Sequence, residues 1–141
     1  MVHALREARR VLKPGGVAID LRPALVHRRV QVRRAGQTEL MGVMREHFDD
    51  DHAASRAVAQ VVGQRLFKLE GRRRIPLERR MDGLPDFREW LADFQGRGKK
   101  LPPHDWLIAR VERALGSAPR RRSSVVVSGP LDLRLLRKTH D

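Results

Sequence analysis

The sequence predicts a mixed α/β fold in a single domain that covers residues 1–141. Apolar residues recur at helical spacing in several segments, and short apolar runs typical of strands lie between those segments. Glycine and proline separate the segments, so each can be assigned as an element of its own. Hydrophobic residues make up 40% of the chain, which is enough for a modest core and argues against compositional disorder.

A helix is predicted over residues 2–12, because Val2, Leu5, Ala8 and Leu12 share one face. No capping residue precedes this helix, which raises the expectation that the chain has lost a preceding segment. Lys13-Pro14-Gly15-Gly16 ends the helix, since proline cannot continue it and glycine turns the chain. The apolar run over residues 17–21 predicts a strand that is covered on both faces.

The rest of the chain predicts a hairpin, three helices and two more strands. They are a hairpin over 25–44 with its turn at 35–37, a helix over 50–63, a strand over 66–81, helices over 85–95 and 103–115, and a strand over 123–137. Glu70-Gly71 predicts a turn or bulge in the strand over 66–81, Pro76 predicts an edge position or a bulge, and Gly129-Pro130 predicts a break in the last strand. The aromatic residues of the last two helices are predicted as core: Phe87, Trp90, Phe94 and Trp106.

Residues 4–20, ALREARRVLKPGGVAID, resemble the segment that leads into the fifth strand of class I, Rossmann-like S-adenosylmethionine-dependent methyltransferases. In that family a helix ending RVLKPGG delivers the chain into a buried parallel strand. The order that follows is also similar, with a helix, a sixth strand, a helical insertion and a seventh strand inserted antiparallel beside the fifth. The resemblance therefore implies the C-terminal strands five to seven of a Rossmann-like sheet, with a helical insertion.

The chain departs from this family at the cofactor site, which the family builds on a Gly-rich turn after its first strand. Gly15-Gly16 precedes a strand, and Gly96-Arg97-Gly98 falls between two helices, so neither is such a turn. The resemblance thus implies S-adenosylmethionine for the complete domain, none for this chain alone, and a truncated form without activity of its own. We expect either a start assigned too late or a true half-domain. Its partner would be the missing N-terminal half or a second copy bound through the exposed edge of strand 17–21.

Substrate-facing candidates come from the loop after that strand, because open α/β sheets bind ligands at the carboxyl ends of their strands. This position selects Asp20, Arg22 and His27. Catalytic residues and the methyl acceptor stay unassigned, since methyl transfer needs little beyond holding two reactants in line.

Composition suggests a second hypothesis and excludes several classes of site. The net charge of +13 fits a basic, non-enzymatic protein that binds RNA or another polyanion. The chain has no cysteine, which excludes disulfides, thiolate nucleophiles and cysteine-bound zinc. Since the sequence shows neither a membrane-spanning apolar run nor a signal peptide, we expect a cytoplasmic location without membrane binding.

Three further patterns in the sequence do not predict a functional site. The acidic and histidine residues over 47–52 are consecutive, so few could converge on one metal ion, and no metal is expected. Residues 53–80 are too broken by Gly71 and Pro76 to hold a DNA-recognition helix. The serines over 123–128 have no adjacent histidine and acid to activate a nucleophile.

Overall fold

A computed structural model describes residues 1–96, 104–116 and 123–139. Over these residues the protein is mixed α/β, as predicted, with four helices and a five-stranded antiparallel sheet. The elements are α1 (Val2–Val11), β1 (Val17–Pro23), β2 (Arg28–Arg34), β3 (Gln37–Met44), α2 (Asp49–Gly63), β4 (Phe67–Met81), α3 (Leu84–Gly96), α4 (Asp105–Gly116) and β5 (Ser123–Lys138).

The chain forms two compact units. The first unit comprises Met1–Leu25, Phe48–Ile75 and Pro130–Asp141, and the second comprises Val26–His47 and Pro76–Gly129. The long strands β4 and β5 each contribute residues to both units. Each unit has its own apolar cluster, which is described separately below.

The turn between α1 and β1 confirms the prediction that Lys13-Pro14-Gly15-Gly16 ends the helix and reverses the chain. Gly15 has φ +71°, a left-handed conformation that glycine adopts at no steric cost. The Gly16 N–H donates to the Lys13 carbonyl at 2.9 Å, and a Cβ built on Gly16 would lie 2.9 Å from that same oxygen. The tight turn therefore leaves no room for a side chain at Gly16.

The core of the first unit lies between its helices and one face of its strands. Val58 and Val61 of α2 are buried with Phe67 of β4 and Leu136 of β5. Half-buried residues of α1, of β1 and of the segment between them pack against this cluster, among them Val2, Leu5, Leu12 and Ala18. One face of the sheet is thus covered by α1 and α2.

Strand β5 lies between β1 and β4 in the first unit. Its residues Leu131–Arg137 pair antiparallel with β1, and Ile19 lies opposite Leu135. Gly71 of β4 also adjoins Leu135, since a Cβ built on Gly71 would lie 3.6 Å from the Leu135 Cδ1 atom. Because one edge of β5 is occupied here by β1, β4 pairs with the other edge.

The second unit confirms the predicted hairpin. Strands β2 and β3 pair antiparallel around a turn at Ala35 and Gly36, whose φ angles of +42° and +85° are those of a tight hairpin turn. Strand β2 also pairs with the first half of β5, so that Val32 lies opposite Val125. Helices α3 and α4 pack on this sheet through buried residues, among them Phe87, Leu91, Leu107 and Val111.

Trp106 corrects the prediction that the helical aromatic residues are core. Phe87 is fully buried, and Trp90 and Phe94 pack against the core, as predicted. Trp106 is 48% exposed, and its ring lies over the backbone of Gly42. A Cβ on Gly42 would come within 2.6 Å of the Trp106 ring, so the indole rests where only glycine leaves space.

The turn predicted at Gly71 and the break predicted at Gly129-Pro130 are wrong, because both strands continue through these residues. Strand β4 runs without a break from Phe67 to Met81 through Gly71, where a Cβ would be in ordinary van der Waals contact with Leu135. The alternative prediction of a bulge at Gly71 stays a prediction. Strand β5 runs without a break through Gly129 and Pro130, and the Pro130 carbonyl accepts a hydrogen bond from the Ala24 N–H. Pairing with neighbouring strands overrides these breakers. The edge position predicted from Pro76 is confirmed, because β4 pairs only with β5 among the described strands.

Candidate functional site

Two of the predicted substrate-facing residues, Asp20 and Arg22, form an ion pair on β1. Arg22 Nη2 donates to Asp20 Oδ2 at 2.7 Å, and both side chains are more than four-fifths buried. Arg22 Nη1 also donates to the Asp51 carbonyl at 3.4 Å, which ties β1 to the first turn of α2. Arg134 of β5 lies opposite Asp20 and places its Nη1 3.8 Å from Asp20 Oδ2.

Asp132 continues this charged arrangement towards β4. It lies opposite Arg22 in the register of β1 and β5. Its two carboxylate oxygens accept hydrogen bonds from Arg72 Nη2 at 2.7 Å and from Arg74 Nε at 3.0 Å. We call Asp20, Arg22, Arg72, Arg74, Asp132 and Arg134 the charged cluster. It joins all three strands of the first unit.

Burial and hydrogen bonding shift the pKa of Asp132 in opposite directions. Burial alone would raise the pKa of this carboxyl group, because it disfavours the charged form. The hydrogen bonds from Arg72 and Arg74 together outweigh burial, so the pKa of Asp132 lies below its usual range. Asp132 is therefore an ionised structural acceptor at neutral pH and a poor proton donor.

The third candidate, His27, belongs to the second unit. It is exposed, and its Nδ1 atom accepts a hydrogen bond from the Glu46 backbone N–H at 3.2 Å. The Glu46 carboxylate in turn binds Arg28 Nη1 at 2.7 Å. The structure therefore brings Asp20 and Arg22 together, while His27 is part of a separate arrangement at the start of β2.

The other face of the first unit is apolar and exposed, which contradicts the prediction that strand 17–21 is covered on both faces. On β1, Val17 is 36%, Ile19 66% and Leu21 51% exposed. Their cross-strand partners on β5 share this face, and they include the half-buried Leu133 and Leu135. We call Val17, Ile19, Leu21, Leu133 and Leu135 the bare face.

The two faces of β1 are unusual, because the face covered by the helices carries more polar side chains than the exposed bare face. The side chains of β1 that face α1 and α2 are Ala18, Asp20 and Arg22, whereas the leucine and isoleucine side chains point away from the helices. Sequence reasoning missed this arrangement by treating residues 17–21 as one apolar run. The signal was present, since residues 17–22 alternate apolar with small or charged side chains.

Strand β1 is also an edge of the sheet, as predicted. Among the described strands, β1 pairs with β5 alone. The outer strand β4 is protected by charged exposed residues, among them Lys68, Arg73, Arg79 and Arg80. The exposed residues of β1 give no such protection, because most of them are apolar.

Cavities occur in the second unit. One of about 500 Å³ is lined by residues that include Asp82, Leu84, Glu112 and Leu115. Another, of about 220 Å³, lies at the hairpin turn beside Arg33, Arg34 and Arg80. Arg33 and Arg34 are already paired with Glu78 and Glu39, so much of the positive charge at this turn is neutralised.

The described residues contain no cluster of three side chains suited to hold a metal ion. None of the described helices has the length and apolar character needed to cross a membrane. No family model, curated protein or solved structure matches this chain.

Proposed function

We propose that this chain is the C-terminal portion of a Rossmann-like, S-adenosylmethionine-dependent methyltransferase domain and is inactive without the cofactor-binding portion. The observation that carries the proposal is the arrangement of β1, β5 and β4. Strand β5, the last in the chain, lies antiparallel between β1 and β4. The methyltransferase resemblance calls for a seventh strand inserted antiparallel beside the fifth, and β5 and β1 fit those two places.

The segment before β1 adds independent support. The family's helix ends in RVLKPGG and turns directly into the fifth strand, and here α1 ends at Val11 before the turn at Gly15 and Gly16. Helix α2 then lies between β1 and β4 in the chain, where the family has a helix between its fifth and sixth strands. Helices α3 and α4 take the place of the helical insertion.

The residues of this chain do not fit the cofactor. S-adenosylmethionine carries a positive sulfonium group and supplies an electrophilic methyl group when it is bound. The charged cluster beside the end of β1 holds four guanidinium groups against two carboxylates, an excess of positive charge that would repel a sulfonium. The chain also lacks a Gly-rich turn after a strand, so the cofactor site must come from elsewhere.

The chain's own contribution to methyl transfer would be structural and positional. Asp20 is held by an ion pair to Arg134 of β5, and Arg22 is held by its ion pair to Asp20 and by the hydrogen bond to α2. Such a rigid strand end can help to position an acceptor, because catalysis by methyltransferases depends mainly on alignment of the two reactants.

The second hypothesis, a basic protein that binds RNA or another polyanion, is favoured by the net charge of +13. Many of the arginines are bound to carboxylates, including Arg33, Arg72, Arg74 and Arg137. These pairs leave fewer guanidinium groups available to phosphates. Polyanion binding would weaken steeply with added salt, and assembly with a cofactor-binding polypeptide would not depend on salt to that extent.

The test is the mass of the native product. A tag at the C-terminus of the chromosomal gene allows purification, intact-mass measurement and mapping of the N-terminal peptides. The proposal predicts a product larger than 16.2 kDa, or a tightly bound partner, that contains a strand followed by a Gly-rich turn. A product of 16.2 kDa that purifies without such a partner would overturn it.

A further inference from the structure

The cavity at the turn between β2 and β3 is built around a row of polar side chains from three strands. Arg33 of β2 lies opposite Thr38 of β3 on one side and opposite Ser124 of β5 on the other. Cross-strand partners direct their side chains to the same face of a sheet, so the two hydroxyl groups flank the Arg33 side chain. All three residues line the cavity, whose volume is about 220 Å³.

Arg80 of β4 brings a further guanidinium group to this cavity. Arg33 and Arg34 are bound to Glu78 and Glu39, respectively. The side chain of Arg80 is exposed and forms no ion pair or hydrogen bond with another described residue. Three arginines against two glutamates leave one positive charge without a counter-charge, and that charge is on Arg80.

Ser124 supplies the observation that points to a ligand. The residue is 1% exposed, and its Oγ atom has no hydrogen-bond partner among the described residues. Buried hydroxyl groups in folded proteins are nearly always hydrogen-bonded, because their removal from water without a partner costs free energy. Since Ser124 lines the cavity, an acceptor atom that enters the cavity would supply the missing partner.

We infer that this cavity binds a terminal phosphate group, as found in a phosphomonoester. The phosphate oxygens would accept hydrogen bonds from the Arg80 guanidinium group and from the hydroxyl groups of Ser124 and Thr38. Glu78 binds both Nη atoms of Arg33 and so fixes this side chain between the two hydroxyl groups. A phosphomonoester carries three acceptor oxygens and nearly two negative charges at neutral pH, which suits these donors and the charge of Arg80. The inference does not depend on the proposed function, because every residue of this site belongs to the second unit.

A phosphodiester of a nucleic-acid backbone is a poorer ligand for the cavity. It has only two unesterified oxygens and a sugar on each side, so it cannot present three acceptors to the donors around Arg33. The net charge of +13 would attract nucleic acid to many parts of the surface. The cavity instead favours a phosphate at the end of a molecule, because only such a group can approach the buried hydroxyl of Ser124.

The experiment is an NMR titration of the isotope-labelled chain at about 0.15 M salt. The separate probes are inorganic phosphate, phenyl phosphate and dimethyl phosphate. We expect the first two to shift the amide signals of Arg33, Thr38 and Ser124 saturably, with a Kd on the order of 1 mM or tighter. We expect no saturable shift with dimethyl phosphate. Absence of saturable shifts with the first two probes would overturn the inference, and equal binding of dimethyl phosphate would overturn it in favour of a phosphodiester.

Matched variants on one strand separate the cavity from general attraction to a basic surface. Arg80→Gln removes the unpaired charge of the cavity, whereas Arg79→Gln removes the same charge from the adjacent exposed residue, which points to the opposite face of β4. We expect Arg80→Gln to weaken binding of phenyl phosphate at least about 10-fold, because a hydrogen bond between charged groups is lost. Arg79→Gln should change the Kd by less than about 2-fold. Equal losses in the two variants would indicate non-specific attraction and overturn the inference.

Ser124→Ala tests the buried hydroxyl group with two measurements. The substitution removes a hydroxyl that has no described partner, so the variant should be at least as stable as the parent chain in urea unfolding. It should nevertheless bind phenyl phosphate about 10-fold more weakly. Unchanged binding would overturn the inference. A joint loss of stability and binding would also overturn it, because the hydroxyl would then have its partner within the protein.

Discussion

Ile19 and Leu135 lie directly opposite each other on neighbouring antiparallel strands, on the face of the sheet that α1 and α2 leave uncovered. Ile19 is 66% exposed, whereas the adjacent Ala18 faces the helices with Leu136. An apolar pair in this position gains nothing from exposure to water. The pair therefore leaves an apolar surface exposed to water in the isolated chain.

The first prediction tests whether Ile19, on the bare face, contributes to the stability of the isolated chain. Ile19→Ser should change the free energy of unfolding by less than about 1 kcal/mol, because the side chain has little burial to lose. It should also reduce aggregation, since the edge becomes more polar. Urea unfolding and light scattering measure the two effects. A large loss of stability would show that Ile19 is packed in the isolated chain.

The second prediction concerns the core of the first unit. Phe67→Ala should destabilise the protein by about 3–5 kcal/mol, because the ring is 1% exposed and its removal leaves a cavity. Leu69→Ala is the matched control on the same strand, as Leu69 is 44% exposed. Chemical unfolding should show a much smaller effect for Leu69→Ala, and equal losses would contradict the packing described.

The third prediction tests the turn that leads into β1. Gly15→Ala should cost about 1–2 kcal/mol, because a Cβ is disfavoured in the left-handed region. Gly15→Asn should cost less, since asparagine adopts this conformation more readily. No atom lies close to a Cβ built at Gly15, so the difference between the variants reports backbone conformation alone. Thermal unfolding of both variants would measure it.

The fourth prediction concerns the pH dependence due to Asp132. Because the pKa of Asp132 is lowered in the folded protein, its stabilising effect is present above the ordinary carboxyl pKa of 3.8 and is lost as pH falls through the lower folded value. Asp132→Asn should therefore destabilise the protein at pH 7 and make little difference at strongly acidic pH. Urea unfolding across this range tests the sign, with Glu39→Gln as a control in an exposed ion pair. A loss that is independent of pH would contradict the role of the ionised carboxylate.

The fifth prediction concerns His104, which precedes α4. Both ring nitrogens are buried and have no hydrogen-bond partner among the described residues, and burial lowers the pKa of His104 despite the opposing effect of Asp105. The unfolded chain therefore binds a proton more readily, so stability should fall as pH drops below the ordinary histidine value of 6.5. His104→Leu should flatten this slope, and His52→Leu, at an exposed histidine, should not. Identical slopes would contradict the prediction.

The sequence predicts well those parts of the fold that depend on neighbouring residues. Pro14 and the two glycines after it end α1 by local sterics, and Ala35-Gly36 closes the hairpin for the same reason. The continuity of β4 through Gly71 and of β5 through Pro130 could not be predicted in this way. Both depend on pairing with strands that are distant in sequence.

The candidate site shows the same division between local and distant information. Their position at the end of a predicted strand indicated Asp20 and Arg22 as candidates, but Arg134, a partner of Asp20, lies more than 100 residues later in the chain. The prediction of core aromatics failed at Trp106 because helical spacing does not reveal whether a neighbouring element covers the stripe. By contrast, the alternation of residues 17–22 is a local signal that the two faces of β1 differ, and it was available from the sequence.

The proposed function requires that this chain complete a methyltransferase domain whose cofactor site lies in another polypeptide segment. The most direct test is calorimetric titration of S-adenosylmethionine into the isolated chain and into the product purified from its native cells. The proposed function predicts no binding to the isolated chain and one equivalent bound by the native product. Binding by the isolated chain, or no binding by the native product, would contradict it.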